Sequence, residues 1–250
     1  SVFLDEAKFN PRLNGLLLEL SSRCNERCIH CYIPEQRKDC GVDMPLEMVK
    51  KVIDQFCDMG GLSINLSGGE VFLHKNILEV VQYCREKDLQ ISILSNLIAL
   101  RDNQIQPLQE ANLASIQASL YSMNPEVHDM ITKVKGSFVK TKSAIEKLRQ
   151  SNIPVKISCP LMQANKNDYK EVIQYAESVG CLVRTDFIMM AQSDFDTSNL
   201  TNRLSLSDIK ELLIESLTKD SRNRNKLKGI LTPSEARKIN EERFLNQSLC

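Results

Sequence analysis

Short apolar runs and amphipathic stretches take turns along this 250-residue chain, and that rhythm restricts the fold more than any other feature. Residues 16–20, 62–66, 89–94, 114–120, 154–159 and 182–188 are brief, rich in aliphatic side chains and bounded by turn residues, as buried strands are. Helical spacing fills the gaps: Val49, Val52, Ile53 and Phe56 after Pro45; Ile77, Val80, Val81 and Cys84; a short helix over 104–111; Phe138, Thr141, Ile145 and Leu148; Tyr169, Val172, Ile173 and Ala176; Ile209, Leu212, Leu213 and Leu217. Punctuation agrees. Pro45 suits a first helical position, Gly60-Gly61 stops the first helix, Ser137 is placed to cap the fourth, and Gly180 closes the fifth. Ser205 to Asp208 reads as a capping box for the last. Residues 33–44 and the stretch around His128-Asp129 read as loops. Six strands alternating with six helices call for a parallel α/β sheet with helical crossovers. Eight such units close a barrel, so six leave it open at one side, where a substrate larger than a small metabolite can enter.

The second constraint is chemical. Cys24-Asn25-Glu26-Arg27-Cys28-Ile29-His30-Cys31-Tyr32 follows the first strand directly. Three thiolates at C-x3-C-x2-C spacing are soft ligands, suited to zinc or an iron–sulfur cluster. A four-iron cluster normally takes four cysteines, so three would leave one iron free for another ligand. Structural zinc is closed by four ligands, often in two pairs. Only Cys40 lies near enough in sequence to be an obvious fourth, and no second C-x2-C exists. A zinc-bound interaction domain is therefore the rival reading, and a disulfide a weaker one still.

Three cysteines so spaced, with Tyr32 after them and a hydrophobic strand before, resemble the signature of the radical S-adenosylmethionine (radical SAM) enzymes. The form CNxRCxHCY is similar to the subgroup that modifies peptides and proteins and carries a C-terminal auxiliary-cluster (SPASM) domain. The resemblance implies a partial (β/α)6 barrel, open on one side. It implies that Cys24, Cys28 and Cys31 hold a [4Fe-4S] cluster whose fourth iron chelates S-adenosylmethionine. Reductive cleavage then yields a 5′-deoxyadenosyl radical that abstracts a hydrogen atom, from a peptide or protein in this subgroup or, as the alternative, from a small molecule or cofactor precursor. A low-potential electron donor such as flavodoxin or ferredoxin is implied as a partner. His30 is read as a neighbour of the cluster rather than a ligand.

The same resemblance assigns cofactor-binding positions to strand ends, where α/β barrels keep their active sites. Tyr32 packs near the adenine. Ser67-Gly68-Gly69-Glu70 matches the family's GGE motif, in which Gly68, Gly69 and Glu70 meet the methionine amino group; two glycines also let a backbone approach a ligand closely. Ser95, Asn96 and Ser119 offer hydroxyl and amide groups to the ribose or the carboxylate, with turn chemistry as the ordinary reading. One departure stands out. Relatives often carry an arginine shortly after the His-Asp pair, whereas this chain has Met130-Ile131-Thr132-Lys133. Thr132 or Lys133 is the expected substitute, lysine being a less rigid carboxylate partner.

Lys+Arg and Asp+Glu number 32 each, which argues against a broad nucleic-acid footprint. The longest apolar run, residues 15–20, is interrupted by Glu19 and too short for a membrane span. Nine cysteines in a chain this long do not make a small secreted disulfide scaffold, so a reducing cytoplasm is expected. Cys57, Cys84 and Cys181 read as core, Cys40 as a free thiol, and Cys159, at a strand end, as a thiol on the active face. The catalytic domain is expected over residues 1–220 and a linker over 221–250. Within that linker, 221–228 is a short basic run. Cys250 falls where the subgroup begins its cysteine-rich region, so a SPASM domain with further iron–sulfur clusters is expected to lie beyond this chain.

Overall fold

In the computed structural model, which describes residues 13–219, six strands form one sheet in chain order: β1 (Gly15–Glu19), β2 (Ser63–Ser67), β3 (Gln90–Ser95), β4 (Ser115–Ser119), β5 (Val155–Ser158) and β6 (Leu182–Arg184). Every neighbouring pair is parallel. The crossovers contain α1 (Glu35–Asp39), α2 (Leu46–Asp58), α3 (Ile77–Glu86), α4 (Asp102–Glu110), α5 (Pro125–Thr132), α6 (Ser137–Gln150) and α7 (Tyr169–Ser178). This is the open α/β partial barrel anticipated from the alternation.

Side-chain alternation explains which face is which. Ile64, Leu66, Ile91, Ile93, Ile116, Ala118, Val155 and Ile157 are buried on one face, the one covered by helices such as α3 and α6. Those helices contribute Ile77, Val80, Val81, Ala144, Ile145 and Leu148, the periodic positions that define their apolar stripes. The alternate residues, among them Asn65, Ser92, Gln117, Ser119, Lys156 and Ser158, are half-buried or exposed on the concave face. A barrel interior filled with aliphatic side chains would be a packed core; this polar lining leaves an accessible hollow instead.

Register brings the strand ends to one rim. Glu19 pairs with Ser67, Ser95 with Ala118, Ser119 with Ser158, and Ser158 with Arg184. Gly180 ends α7 with φ +66°, and the Cys181 amide donates to the Ala176 carbonyl at 2.8 Å, the closing bond of a Schellman motif. At Ser205 the expected capping box forms: its hydroxyl accepts from the Asp208 amide, and the Asp208 carboxylate accepts from the Ser205 amide, both at 3.1 Å.

The structure departs from the sequence reading in four places. Residues 35–39 are helical, although EQRKD has no apolar period to announce it; the turn is held by tertiary pairing of Asp39 with Arg27. The His128-Asp129 stretch is helix α5, started by Pro125 at its first turn and by Asn124, whose Oδ1 accepts from the Glu126 amide at 3.0 Å. Ser137 is the first residue of α6 and not its cap. Asp129 does that work across the turn, accepting from the Phe138 and Gly136 amides at 2.9 and 2.5 Å and from the Ser137 hydroxyl at 2.8 Å. Strand β6 ends at Arg184, four residues early, because the following chain leaves the sheet to brace the cysteine loop.

The chain divides into two units, Ser1–Arg203 and Leu204–Cys250. In the second, the described part is the helix α8 (Leu206–Lys219) with its Ser205 cap, and Leu217 lies beyond the side chains described. The basic run at 221–228, the rest of the linker expected over 221–250, and Cys250 lie outside the described residues.

Candidate metal centre and cofactor pocket

The cysteine loop hangs from the glycine turn after β2. Beyond β1 the chain runs beside Ser67-Gly68-Gly69-Glu70: the Leu20 amide donates to the Ser67 carbonyl at 2.9 Å, Gly69 to Ser21 at 2.7 Å and Glu70 to Arg23 at 2.7 Å. The approach leaves no room for side chains. A Cβ on Gly68 would lie 2.4 Å from the Ser21 carbonyl oxygen, and one on Gly69 2.3 Å from that of Arg23. The two glycines line the pocket, but the close approach they permit is that of the cysteine-bearing segment. Arg23 anchors the same segment through a fork to Asp43, with Nη2 at 2.7 and 2.6 Å from its two oxygens.

Glu70 is buried, and both oxygens of its carboxylate are engaged. It accepts from the Phe72 amide at 2.9 Å, the Ser95 hydroxyl at 2.7 Å and the Asn96 amide at 2.7 Å. Burial pushes its carboxyl up from the usual range, while those three donors pull it back. The side chains of Glu70 and Ser95 thus tie the ends of β2 and β3 together. Asn96 reaches the cysteine loop, donating to Asn25 Oδ1 at 2.7 Å and lying 3.8 Å from Cys24 Sγ.

From the other side, the loop is held by α5 and by the chain after β6. The Arg27 and Ile29 amides donate to the Thr132 and Ile131 carbonyls, both at 3.0 Å. Asn199 Nδ2 donates to Met190 O at 2.8 Å and to the carbonyls of His30 and Cys31 at 3.3 and 3.4 Å; Asn202 Nδ2 donates to Ile29 O at 3.0 Å. Nothing in the sequence pattern marks Asn199 or Asn202, since their partners are about 170 residues away. Asn199→Ala is expected to destabilise the first unit by about 2 kcal/mol, the scale of carbonyls left unpaired. An unchanged denaturant midpoint would show these bonds to be idle.

Within this frame, Cys24, Cys28 and Cys31 line one pocket of about 200 Å³ with Gly68, Gly69, Ser95, Asn96, Ser119 and Tyr32. The expected site residues are therefore assembled on one rim, with Glu70 behind it as a brace. Tyr32 is partly exposed, and its hydroxyl is engaged by Glu19. Thr132 is not available to a ligand there: it is fully buried, with its hydroxyl on Ser137 at 2.7 Å and on the Asp129 carbonyl. Lys133 ends α5 in a left-handed conformation and pairs with Glu35 at 3.1 Å. Cys159 is fully buried, and its thiol points to the Tyr121 carbonyl, so it is core rather than a pocket thiol.

Three observations test whether an iron–sulfur cluster suits these residues. All three cysteines are free thiols, and burial pushes two of them up, Cys24 to about 11 and Cys28 well above its ordinary value. Such thiols are stored protonated and give up their protons to a strongly cationic centre. Among the described residues, no three His, Cys, Asp or Glu side chains converge as on a single metal ion. In a cluster each thiolate takes a separate iron, so the three sulfurs need not meet at one point. The Glu26 amide donates to Cys24 Sγ at 3.4 Å, and His30 Nδ1 is buried without a partner beside the pocket. Burial also lowers His30 to about 4, so its imidazole is neutral at pH 7 and offers one N–H. The site fits the group. Its remaining wall is Tyr121, edge-on to His30 at 5.0 Å between ring centres and packed with Ile131 and Met162 behind Cys28.

Known proteins agree with the geometry. The chain is 31% identical over 163 residues to the antilisterial bacteriocin subtilosin biosynthesis protein AlbA of Bacillus subtilis, covering 65% of this chain and 36% of AlbA. It is 24% identical over 217 residues to the PqqA peptide cyclase of Granulibacter bethesdensis, covering 87% and 57%. In fold it resembles Streptococcus suis SuiB, crystallised with its precursor peptide SuiA, at a TM-score of 0.68 and 15% identity over 86% of this chain and 49% of SuiB. It thus spans between about a third and three fifths of the curated relatives it matches. A family model described as "Radical SAM superfamily" matches residues 18–190, from the end of β1 through the cysteine loop to β6, and the chain belongs to that superfamily, whose cofactors are a [4Fe-4S] cluster and S-adenosylmethionine.

Proposed function

We propose that this chain is the catalytic barrel of a peptide- or protein-modifying radical SAM enzyme. One observation carries the reading: three unpaired thiols share a pocket with the strand-end residues of a parallel sheet whose polar hollow is open at one edge. When bound, the cluster and S-adenosylmethionine supply reductive cleavage to methionine and a 5′-deoxyadenosyl radical, which removes a hydrogen atom from the substrate.

The chain's own residues bind, orient and shield. Cys24, Cys28 and Cys31 hold the cluster, with the Glu26 amide directed at Cys24 Sγ. The Gly68-Gly69 turn offers backbone to the cofactor's amino group on its pocket side, while Glu70 keeps that turn and the Ser95-Asn96 corner rigid. Ser119, ending β4 on the concave face, gives a hydroxyl to the ribose or carboxylate, and Tyr32 packs near the adenine. Tyr121, Ile131 and Met162 keep water from the far side of Cys28. Hydrogen-atom abstraction needs no general acid or base, and none is assigned.

A peptide substrate is supported by the relatives, named for bacteriocin biosynthesis and peptide cyclisation, and by the breadth of the polar concave face. The electron comes from a low-potential donor such as flavodoxin or ferredoxin. The setting is the reducing cytoplasm; among the described residues no helix is long and apolar enough to cross a membrane.

The decisive assay is anaerobic. Reconstituted protein given dithionite and S-adenosylmethionine is expected to release 5′-deoxyadenosine, and a deuterated precursor peptide encoded beside its gene should pass deuterium into that product. No release above a protein-free control refutes the radical chemistry; label arriving from a small metabolite instead supports the alternative substrate class. Ser119→Ala should weaken S-adenosylmethionine binding about twofold to tenfold, the worth of one hydrogen bond, and equal affinity would remove Ser119 from the site.

A further inference from the structure

Lys38 is a largely buried lysine beside the cysteine loop. It lies in the last turn of α1 and is only 4% exposed. Among the described residues its ammonium makes no hydrogen bond and no ion pair. The acids around it are already engaged. On its own helix, Asp39 pairs with Arg27 and Glu35 with Lys133. Across the pocket, Glu26 accepts from the Cys28 thiol at 3.1 Å and feels the Lys38 charge through space without an ion pair, and Glu70 accepts three hydrogen bonds. A cation held by no hydrogen bond or ion pair on the wall of a pocket favours an anion within its reach.

The position says where the missing charge belongs. Lys38 lines the 200 Å³ pocket together with Cys24, Cys28 and Cys31, and it also lines a neighbouring cavity of about 400 Å³ that Cys28 and Cys31 share. Open space thus reaches the ammonium on the cysteine side. The two residues expected to meet an anion here are committed elsewhere, Thr132 to Ser137 and Lys133 to Glu35. Resting on the cluster-site reading above, we infer that the Lys38 ammonium is the counter-cation of the anion that occupies the cysteine pocket. Two sources share that chemistry: the net negative charge of three thiolates on the cluster, and the carboxylate of the cofactor's amino-acid moiety.

Lys38→Gln and Lys38→Arg, made in the full chain and reconstituted anaerobically, separate the sources. One arm is the cluster's midpoint potential, read by EPR-monitored titration without S-adenosylmethionine; the other is the S-adenosylmethionine dissociation constant, read by equilibrium dialysis without turnover. Lys38→Gln is expected to shift one of them at least tenfold, which for a one-electron potential is about 59 mV to the negative, with Lys38→Arg nearer wild type. A shifted potential, or iron loading lost from a folded variant, identifies the cluster as the anion; a weakened dissociation constant identifies the carboxylate. Iron-loaded Lys38→Gln with both quantities unchanged overturns the inference while leaving the cluster reading intact, whereas wild-type protein that takes up no iron and sulfide would sink the cluster reading itself. Lys38→Met supplies a check that needs no metal. With no hydrogen bond or ion pair to lose, it should melt no lower than wild type when both are metal-free, and a clearly lower melting temperature would mean that Lys38 already has a partner in the protein.

Discussion

Cys28→Ala is expected to bring 5′-deoxyadenosine formation under dithionite down to background and to remove most of the iron and sulfide. Of the three thiols, Cys28 is the most firmly placed. The Ile29 amide beside it is hydrogen-bonded to Ile131, its sulfur packs behind Tyr121, Ile131 and Met162, and its thiol donates to Glu26. Alanine leaves all backbone bonds of the loop in place, and the small cavity costs on the order of 1 kcal/mol. Loss of iron at nearly unchanged circular dichroism and melting temperature would therefore report a lost ligand and not a lost fold. Retained iron with full turnover would remove Cys28 from the metal set.

Gly69→Val is expected to be nearly as damaging, for a different reason. The new Cβ would sit 2.3 Å from the Arg23 carbonyl oxygen and 2.4 Å from that of Ser22, both backbone atoms that cannot swing aside. Relief of the clash separates β2's turn from the segment carrying Cys24 and breaks the Gly69–Ser21 and Glu70–Arg23 bonds. Overpacking and two lost hydrogen bonds together cost about 3–5 kcal/mol. Cluster loading and S-adenosylmethionine binding should fall together. Reading the glycines from the sequence suggests otherwise, that they approach the ligand and that this change spares the cluster. Full iron content with weakened S-adenosylmethionine binding in Gly69→Val would favour that simpler view.

Much of this molecule is legible in its sequence because the signals are local. The alternation of aliphatic runs with helical stripes announces a parallel sheet; the aliphatic positions of β2 to β5, Leu94 excepted, are the ones buried against helices, and the mostly polar positions between them line the hollow. The cysteine spacing announces a site because thiolates four and three residues apart on one loop can face a common centre. Helix α5 is not read from the sequence: its apolar stripe is short, and the Asn124-Pro125 start alone does not outweigh it.

What only the tertiary structure decides is how the polar side chains are spent. Glu70 has the position of a ligand-binding residue, yet its carboxylate ties β2 to β3. Asp129 caps a helix eight residues on, and Asn199 and Asn202 brace carbonyls about 170 residues away. Lys38 sits in a five-residue turn with no apolar period at all, and becomes interesting only once it is seen buried beside three thiols. The physical reason is reach. Apolar periodicity is set by the geometry of each element's own backbone, whereas a hydrogen bond or a counter-charge is chosen by whatever the folded chain happens to bring within about 3 Å.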